Sequence, residues 1–294
     1  MSDGHQTTGP LAFVGFGEAA RAFVSGWDLP EPAGLRAYDV KVEDPAACET
    51  MLEACAAHGV AGMRTVAGAL EGAAAVFCLV TADRALEAAE ACEGLAPGAL
   101  WLDGNSCAPE TKRRAAEVIA ARGGRYVDVA IMAPVHPKKH RVPLLLSGPH
   151  AEAAAGVLAA LGMSPRVAGE EVGAASTIKM LRSVMIKGLE ALSAECLLAA
   201  RRAGVDDAVL GSLAASNPEV DWEARGAYHL GRMIEHGERR AAEMCEVVRT
   251  VEALGLPADM ARAVVLWQTR VAGAGAELGD EAFGPRADRL LDRL

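Results

Sequence analysis

The sequence predicts an α/β protein, a doubly wound parallel sheet in the first half followed by an all-α second half. Two observations carry this. Up to about residue 168, short apolar runs alternate with helical stretches, the pattern of strand–helix–strand units. Beyond it the runs stop, and residues 170–203 continue without a proline, with Ile178, Leu181, Met185, Leu189 and Leu192 at helical spacing.

In order, strands are expected at Leu11–Gly15, Leu35–Tyr38, Met63–Val66, Ala75–Val80, Ala99–Asp103, Arg125–Ile131 and Pro143–Leu146. Helices are expected between them at 18–27, 45–58, 83–93, 109–122 and 150–161. Pro97-Gly98 and Gly123-Gly124 punctuate the joints. The helical half divides at Pro218 and Gly255-Leu256-Pro257 into stretches 170–203, 206–215, 219–236, 238–254, 258–273 and 280–294. Asn217-Pro218 reads as a helix start. The expected domains are 1–168 and 169–294. No internal repeat or low-complexity linker separates them.

Composition narrows the class. Aromatic residues make up 4% and alanine is abundant, which favours closely packed helices over a β-sandwich. The net charge of −10 makes the chain a poor binder of nucleic acid or anionic membrane. Seven cysteines, with no CxxC pair, argue against a disulfide framework or zinc site and for a reducing compartment. Most are read as small buried hydrophobes. Residues 1–10 carry no apolar signal core, and no apolar run reaches the roughly 18 residues of a membrane span. The expectation is a cytoplasmic protein without metal.

The most specific signal is local. Leu11-Ala12-Phe13-Val14 runs directly into Gly15-Phe16-Gly17-Glu18-Ala19-Ala20, a GxGxxA loop that opens a helix. Gly15 permits the tight turn, Gly17 lets backbone approach a pyrophosphate, and Ala20 keeps helix close to strand. A second strand ends at Asp39, where a carboxylate can accept hydrogen bonds from the adenosine ribose. This is a Rossmann βαβ, and its order of parts points to a nicotinamide dinucleotide. The all-α second half speaks against flavin. Asp39 would repel a 2′-phosphate and favours NAD over NADP, while Lys41 softens that preference.

With these motifs the chain resembles the β-hydroxyacid dehydrogenase family, relatives of 6-phosphogluconate dehydrogenase, over nearly its whole length. Asp103-Gly104-Asn105-Ser106-Cys107-Ala108-Pro109 is similar to the family's D-x-S-T-x-x-P segment. The resemblance places Asn105 and Ser106 beside the nicotinamide ribose and ring, with Val80 and Thr81 across from them. The same residues also read as a strand end followed by a helix cap, with Pro109 in the first turn. Asp128-Val129-Ala130-Ile131-Met132-Ala133-Pro134-Val135 stands where the family has D-A-P-V-S-G-G. The implied substrate loop is therefore Met132, Ala133 and Pro134, with methionine for serine and alanine for glycine. That change favours a bulkier or more apolar substrate than a standard 3-hydroxy acid. Gly173 to Ser183 resembles G-x-x-G-x-x-x-K-x-x-x-N. Lys179 falls at the catalytic lysine, the family's general acid/base, and Ser183 replaces the asparagine. The family's later Lys-Asp pair has no clear match; an arginine of Glu238–Glu243 stands there.

Read from spacing alone, Ser176, Lys179, Ser183 and Lys187 form one helical stripe, with apolar Ile178, Leu181 and Met185 opposite. A solvated face gives the same pattern; the resemblance makes it the active-site face. A lysine can exchange a proton with substrate oxygen if burial or a neighbouring cation lowers its pKa. His136-Pro137-Lys138-Lys139-His140-Arg141 concentrates positive charge after the substrate loop. It reads either as an attractor of an anionic substrate or as a solvated loop. Tyr228, His229, Arg232 and His236 recur at helical spacing and read first as helix paving. The resemblance implies an NAD(P)-dependent oxidoreductase acting on a small hydroxy acid or related carbonyl, and a homodimer. The alternatives are an imine reductase, a non-catalytic nucleotide-binding protein, and a redox sensor using Cys78 or Cys107.

Overall fold

The computed structural model describes residues 9–27 and 34–294, so most of the polar N-terminal stretch lies outside it. The chain divides into two compact units, the first ending at Lys179 and the second running from Met180 to Leu294.

The first unit is built on one eight-stranded sheet. Its strands are β1 (Leu11–Val14), β2 (Arg36–Tyr38), β3 (Ala61–Gly62), β4 (Ala75–Cys78), β5 (Leu100–Asp103), β6 (Arg125–Ile131), β7 (Pro143–Ser147) and β8 (Ser164–Gly169). Their order is β3-β2-β1-β4-β5-β6-β7-β8. The first six pair in parallel. β7 turns antiparallel against β6, and β8 follows β7 in parallel, so the sheet is mostly rather than wholly parallel. The helices are α1 (Glu18–Val24), α2 (Cys48–Ala56), α3 (Val66–Leu70), α4 (Ala85–Glu90), α5 (Pro109–Ala121) and α6 (Ala151–Ala160). Central strands β1, β4 and β5 are buried along their length, which is why they read as continuous apolar runs rather than alternating ones.

Two sequence expectations fail here for local reasons. The strand expected at Met63–Val66 lies earlier, at Ala61–Gly62, because Thr65 caps a helix instead. Its hydroxyl accepts the Gly68 N–H at 3.1 Å and opens α3. Strand β8 was not expected. Ser164-Pro165-Arg166 shows no apolar run, and the strand forms only by pairing with β7.

The second unit contains most of α7 (Ala174–Ala203), then α8 (Asp206–Ser216), α9 (Trp222–Ala253), α10 (Asp259–Gly273) and α11 (Phe283–Leu291). The expected break near residue 237 is absent, and α9 runs through it. Gly237 serves a close approach instead: a Cβ there would lie 2.7 Å from the Gln268 carbonyl oxygen of α10. Two apolar clusters hold the helices, one around Leu197, Leu230, Met233 and Phe283, the other around Met180, Met244, Val247 and Val264.

Candidate active site

The strand order reverses between β1 and β4, the switch point at which open α/β sheets bind ligands beyond the carboxyl ends of their strands. Gly15 turns there with φ +88°. A Cβ on it would meet the Leu79 carbonyl oxygen at 2.5 Å and the Val80 side chain at 3.0 Å. Gly17 differs: among the described residues nothing would lie within 4 Å of a Cβ there, and the N-cap of α1 holds no side-chain hydrogen bond. Phe16 is buried, packed edge-on to Phe13 and His58, while Glu18 is exposed, Ala19 half-buried and Ala20 buried. The Phe16 N–H donates to Asp39 Oδ2 at 2.8 Å, and the Lys41 N–H to Oδ1 at 3.1 Å. Asp39 thus ties the end of β2 to the glycine loop while remaining half-exposed.

After β5, Asn105 is almost fully buried and its amide is fixed at both hydrogens, donating to Asp103 Oδ1 at 2.7 Å and Cys78 Sγ at 3.3 Å. Among the described residues its buried Oδ1 has no partner. The next residue, Ser106, accepts a hydrogen bond from Lys179 Nζ at 2.6 Å. The first turns of α7 are held by Asp128, in the middle of β6, and by its cross-strand partner Ser147 at the end of β7. Asp128 accepts from Ser176 N at 3.0 Å, Ser176 Oγ at 2.6 Å and Ser147 Oγ at 3.0 Å. Ser147 Oγ in turn accepts the Ala175 N–H at 3.0 Å. Helix start and these two strands together set where Lys179 stands.

Asp103 and Asp128 flank Lys112 of α5, and all three are wholly buried. Burial works against the Lys112 ammonium, but the two carboxylates outweigh it and hold its pKa above the usual lysine value. Burial, then Asp103, pushes the Tyr126 hydroxyl up as it donates to Asp103 Oδ2 at 2.7 Å. Sequence reasoning missed Lys112 inside the polar run Glu110–Arg114. The available signal was its spacing with Ala115 and Ile119, both fully buried, which places it on the core stripe of α5.

Other expected residues divide. Val80 lies against Gly15, while Thr81 is exposed. Met132 is half-buried against Ala130, Leu145, Ala168 and Ala175; Ala133 packs on the main core, and Pro134 is exposed. The polar stripe of α7 is the buried one, with Ser176, Ser183 and Lys187 at 7% exposure or less. The apolar stripe is exposed: Ile178 at 44%, Leu181 at 41% and Met185 at 64%. This inverts the ordinary amphipathic reading. Within the second unit, buried Lys187 pairs with Glu243 at 2.6 Å, and burial lowers its pKa. Arg240 pairs with Glu190 inside the helices, and Gln268 Nε2 donates to the same carboxylate at 3.0 Å.

The basic loop splits as well. Its turn Lys139–Arg141 packs on the C-terminal end of α1, where Lys139 Nζ donates to the Ser25 carbonyl oxygen at 3.2 Å. That end is opposite the glycine loop, so this half of the segment does not face the site. His229 is buried and bonded to Ser193 at 2.8 Å, whereas Tyr228 is exposed. Five cysteines are buried, and Cys196 and Cys245 are exposed. Burial raises the Cys78 thiol well above its ordinary pKa, the opposite of what a redox sensor needs. Among the described residues no helix is long and apolar enough to cross a membrane.

A dinucleotide fits these residues: among the described residues, open space over Gly17, an N-cap without a side-chain hydrogen bond, a half-exposed carboxylate at Asp39 and an unpartnered acceptor on Asn105. Fold and switch point define the class, an NAD(P)-binding Rossmann domain followed by a helical region. Residues 34–168 match the NAD binding domain of 6-phosphogluconate dehydrogenase, and residues 200–271 match a domain of unknown function, DUF1932. A conserved hypothetical protein from Sinorhizobium meliloti is 39% identical over 97% of this chain and 96% of its own, with a TM-score of 0.75. The conserved protein MTH1747, described as structurally similar to 3-hydroxyacid dehydrogenases, is 29% identical over 90% of this chain and 97% of its own, with a TM-score of 0.67. A reductive aminase from Aspergillus terreus, in complex with NADPH, shares the fold at 21% identity over 97% of this chain and 99% of its own, with a TM-score of 0.55. An uncharacterised 28.5 kDa protein of Methanothermus fervidus is 30% identical over 52% of this chain; the match spans 58% of that protein. The chain belongs to the family of the Sinorhizobium protein.

Proposed function

We propose that this protein is an NAD(P)-dependent dehydrogenase or reductase that interconverts a small hydroxy acid, or a related alcohol, with its carbonyl form. The observation that carries this reading is the 2.6 Å hydrogen bond from Lys179 Nζ to Ser106 Oγ. It brings the only lysine of the family-like helix motif to the loop beside the unpartnered Asn105 acceptor.

In this reading the glycine loop holds the pyrophosphate, and Asp39 accepts the ribose hydroxyls and favours NAD. Asn105 and Ser106 receive the nicotinamide end, which supplies or accepts hydride when bound. Lys179 exchanges the proton on substrate oxygen, with Ser106 as its resting partner. Ser183 follows one turn along α7 as a further polar contact for substrate or lysine. Met132, Ala133 and Pro134 offer an apolar substrate edge. The exposed stripe of α7 is covered by a second copy of the chain, giving a homodimer; large exposed apolar faces on a helix mark such contacts.

The test is a panel of hydroxy acids, sugar acids and imines with NAD(H) and NADP(H), followed by nicotinamide absorbance. Lys179→Ala is expected to cost roughly 10²–10⁴ in turnover, the range for a positioned proton-transfer group, with cofactor affinity nearly unchanged. Full turnover by that variant would remove the lysine from the mechanism. Asp39→Ala is expected to erase the preference for NAD. Imine reduction is the second reading, favoured by Met132 in place of a polar residue. Turnover of imines but no carbonyl substrate would establish it.

A further inference from the structure

The buried ions behind Asn105 carry a charge imbalance. Lys112 Nζ donates to the Asp103 carbonyl oxygen at 2.7 Å and Asp103 Oδ1 at 2.9 Å, and lies 3.5 Å from Asp128 Oδ1. One buried cation thus stands between two buried carboxylates. Asp103 Oδ1 also accepts the Asn105 N–H at 3.0 Å and an Asn105 side-chain N–H at 2.7 Å. The other amide hydrogen points to Cys78 Sγ, so the amide cannot turn, and its buried Oδ1 is left facing away from both partners. A buried acceptor without a partner is unfavourable until a donor arrives. The arrangement therefore presents an immobilised acceptor one hydrogen bond from a net negative cluster. It is complementary to a ligand end that donates a hydrogen bond and carries positive charge.

We propose that Asp103, Lys112 and Asp128 form a charge-setting cluster that favours the oxidised nicotinamide over the reduced one. The two forms differ at the ring by one positive charge, while their hydrogen-bonding groups are the same. The proposal rests on the reading above, in which the nicotinamide end lies at Asn105 and Ser106.

The experiment measures dissociation constants for NAD⁺ and NADH, and for NADP⁺ and NADPH, by calorimetry and by nicotinamide fluorescence. Asp128→Asn removes one negative charge from a residue whose own contacts are Lys112, Ser147 and Ser176. Two unit charges about 12 Å apart at an effective dielectric near 20 interact strongly enough to change a binding constant roughly tenfold. The oxidised form is expected to weaken about five- to tenfold relative to the reduced form. Lys112→Met combined with Asp128→Asn restores the original net charge while disturbing packing more. Its ratio of the two constants is expected to return to within about twofold of the unsubstituted protein. If Asp128→Asn does not fold, Asp103→Asn makes the same charge change with the same expected direction.

Equal weakening of both forms by the single variant would overturn the proposal, as would a double variant that keeps the single variant's ratio. Asn105→Ala separates this from the underlying reading. If it leaves every affinity unchanged, the placement of the nicotinamide end fails and the proposal with it. If it weakens both forms while Asp128→Asn leaves their ratio untouched, only the charge-setting role fails.

Discussion

The two glycines of the phosphate loop should respond in opposite ways to the same added methyl group. At Gly17 the backbone φ is −83°, within reach of any residue, and nothing stands within 4 Å of an added Cβ. Alanine is a poorer N-cap than glycine by about 0.5–1 kcal/mol. It also restricts the unfolded chain, which returns about 0.4–1 kcal/mol. Gly17→Ala should therefore leave stability within about 0.5 kcal/mol. The methyl instead fills the space through which a pyrophosphate reaches the helix N–H groups. Hydrogen bonds to a charged group contribute about 1.5–3 kcal/mol each. Losing one would raise the cofactor Kd about 10- to 200-fold. At Gly15, φ is +88° and the added Cβ would lie 2.5 Å from the backbone oxygen of Leu79. Leu79 is itself fixed by its N–H to the Val14 carbonyl at 2.8 Å, so it cannot yield without parting β1 from β4. Backbone strain of about 1–3 kcal/mol adds to that clash, and Gly15→Ala should lose at least about 3 kcal/mol. Urea unfolding followed by circular dichroism reads the first quantity, and titration of nicotinamide fluorescence the second. A Gly17→Ala protein that binds cofactor normally would refute the cradle assignment. A Gly15→Ala protein of unchanged stability would refute the close-approach argument.

Further outcomes follow from burial and charge. Lys112→Met alone leaves two carboxylates in the core without their cation and should cost about 3–5 kcal/mol in urea unfolding; adding Asp128→Asn should recover part of it. The buried His229 has its pKa lowered, mainly by burial, so the folded state binds fewer protons than the unfolded one. Its contribution is complete above the ordinary histidine pKa near 6.5 and is lost as pH falls from there through the lowered folded-state value. The melting temperature should drop between pH 7 and 5, and His229→Gln should flatten that slope. If the exposed stripe of α7 is a dimer face, Met185→Asp with Leu192→Asp should halve the mass seen by light scattering while leaving helical content intact.

Much of the fold was legible because its signals are local. The glycine loop, the buried central strands and the Pro109 helix start each depend on residues within a few positions. Elements that depend on a distant partner were not: β8 exists through pairing with β7, and Gly237 marks a helix crossing rather than a break. The site divides in the same way. Lys179 and Ser106 were singled out by motif, but 73 residues separate them, and no spacing rule foretells their contact. Lys112 looked like one more surface charge until Asp103 and Asp128 closed around it.

A Rossmann βαβ and a helical second half can be read from local residues, since glycine stereochemistry and hydrophobic periodicity act over one or two turns. The buried face of α7 depends on distant partners. Its polar stripe goes inward because Asp128, brought up by β6, takes the N–H and hydroxyl of Ser176. That choice leaves the apolar stripe outside and brings Lys179 to Ser106. The energy of a buried carboxylate depends on the donors that reach it. Here those donors come from three separate parts of the chain.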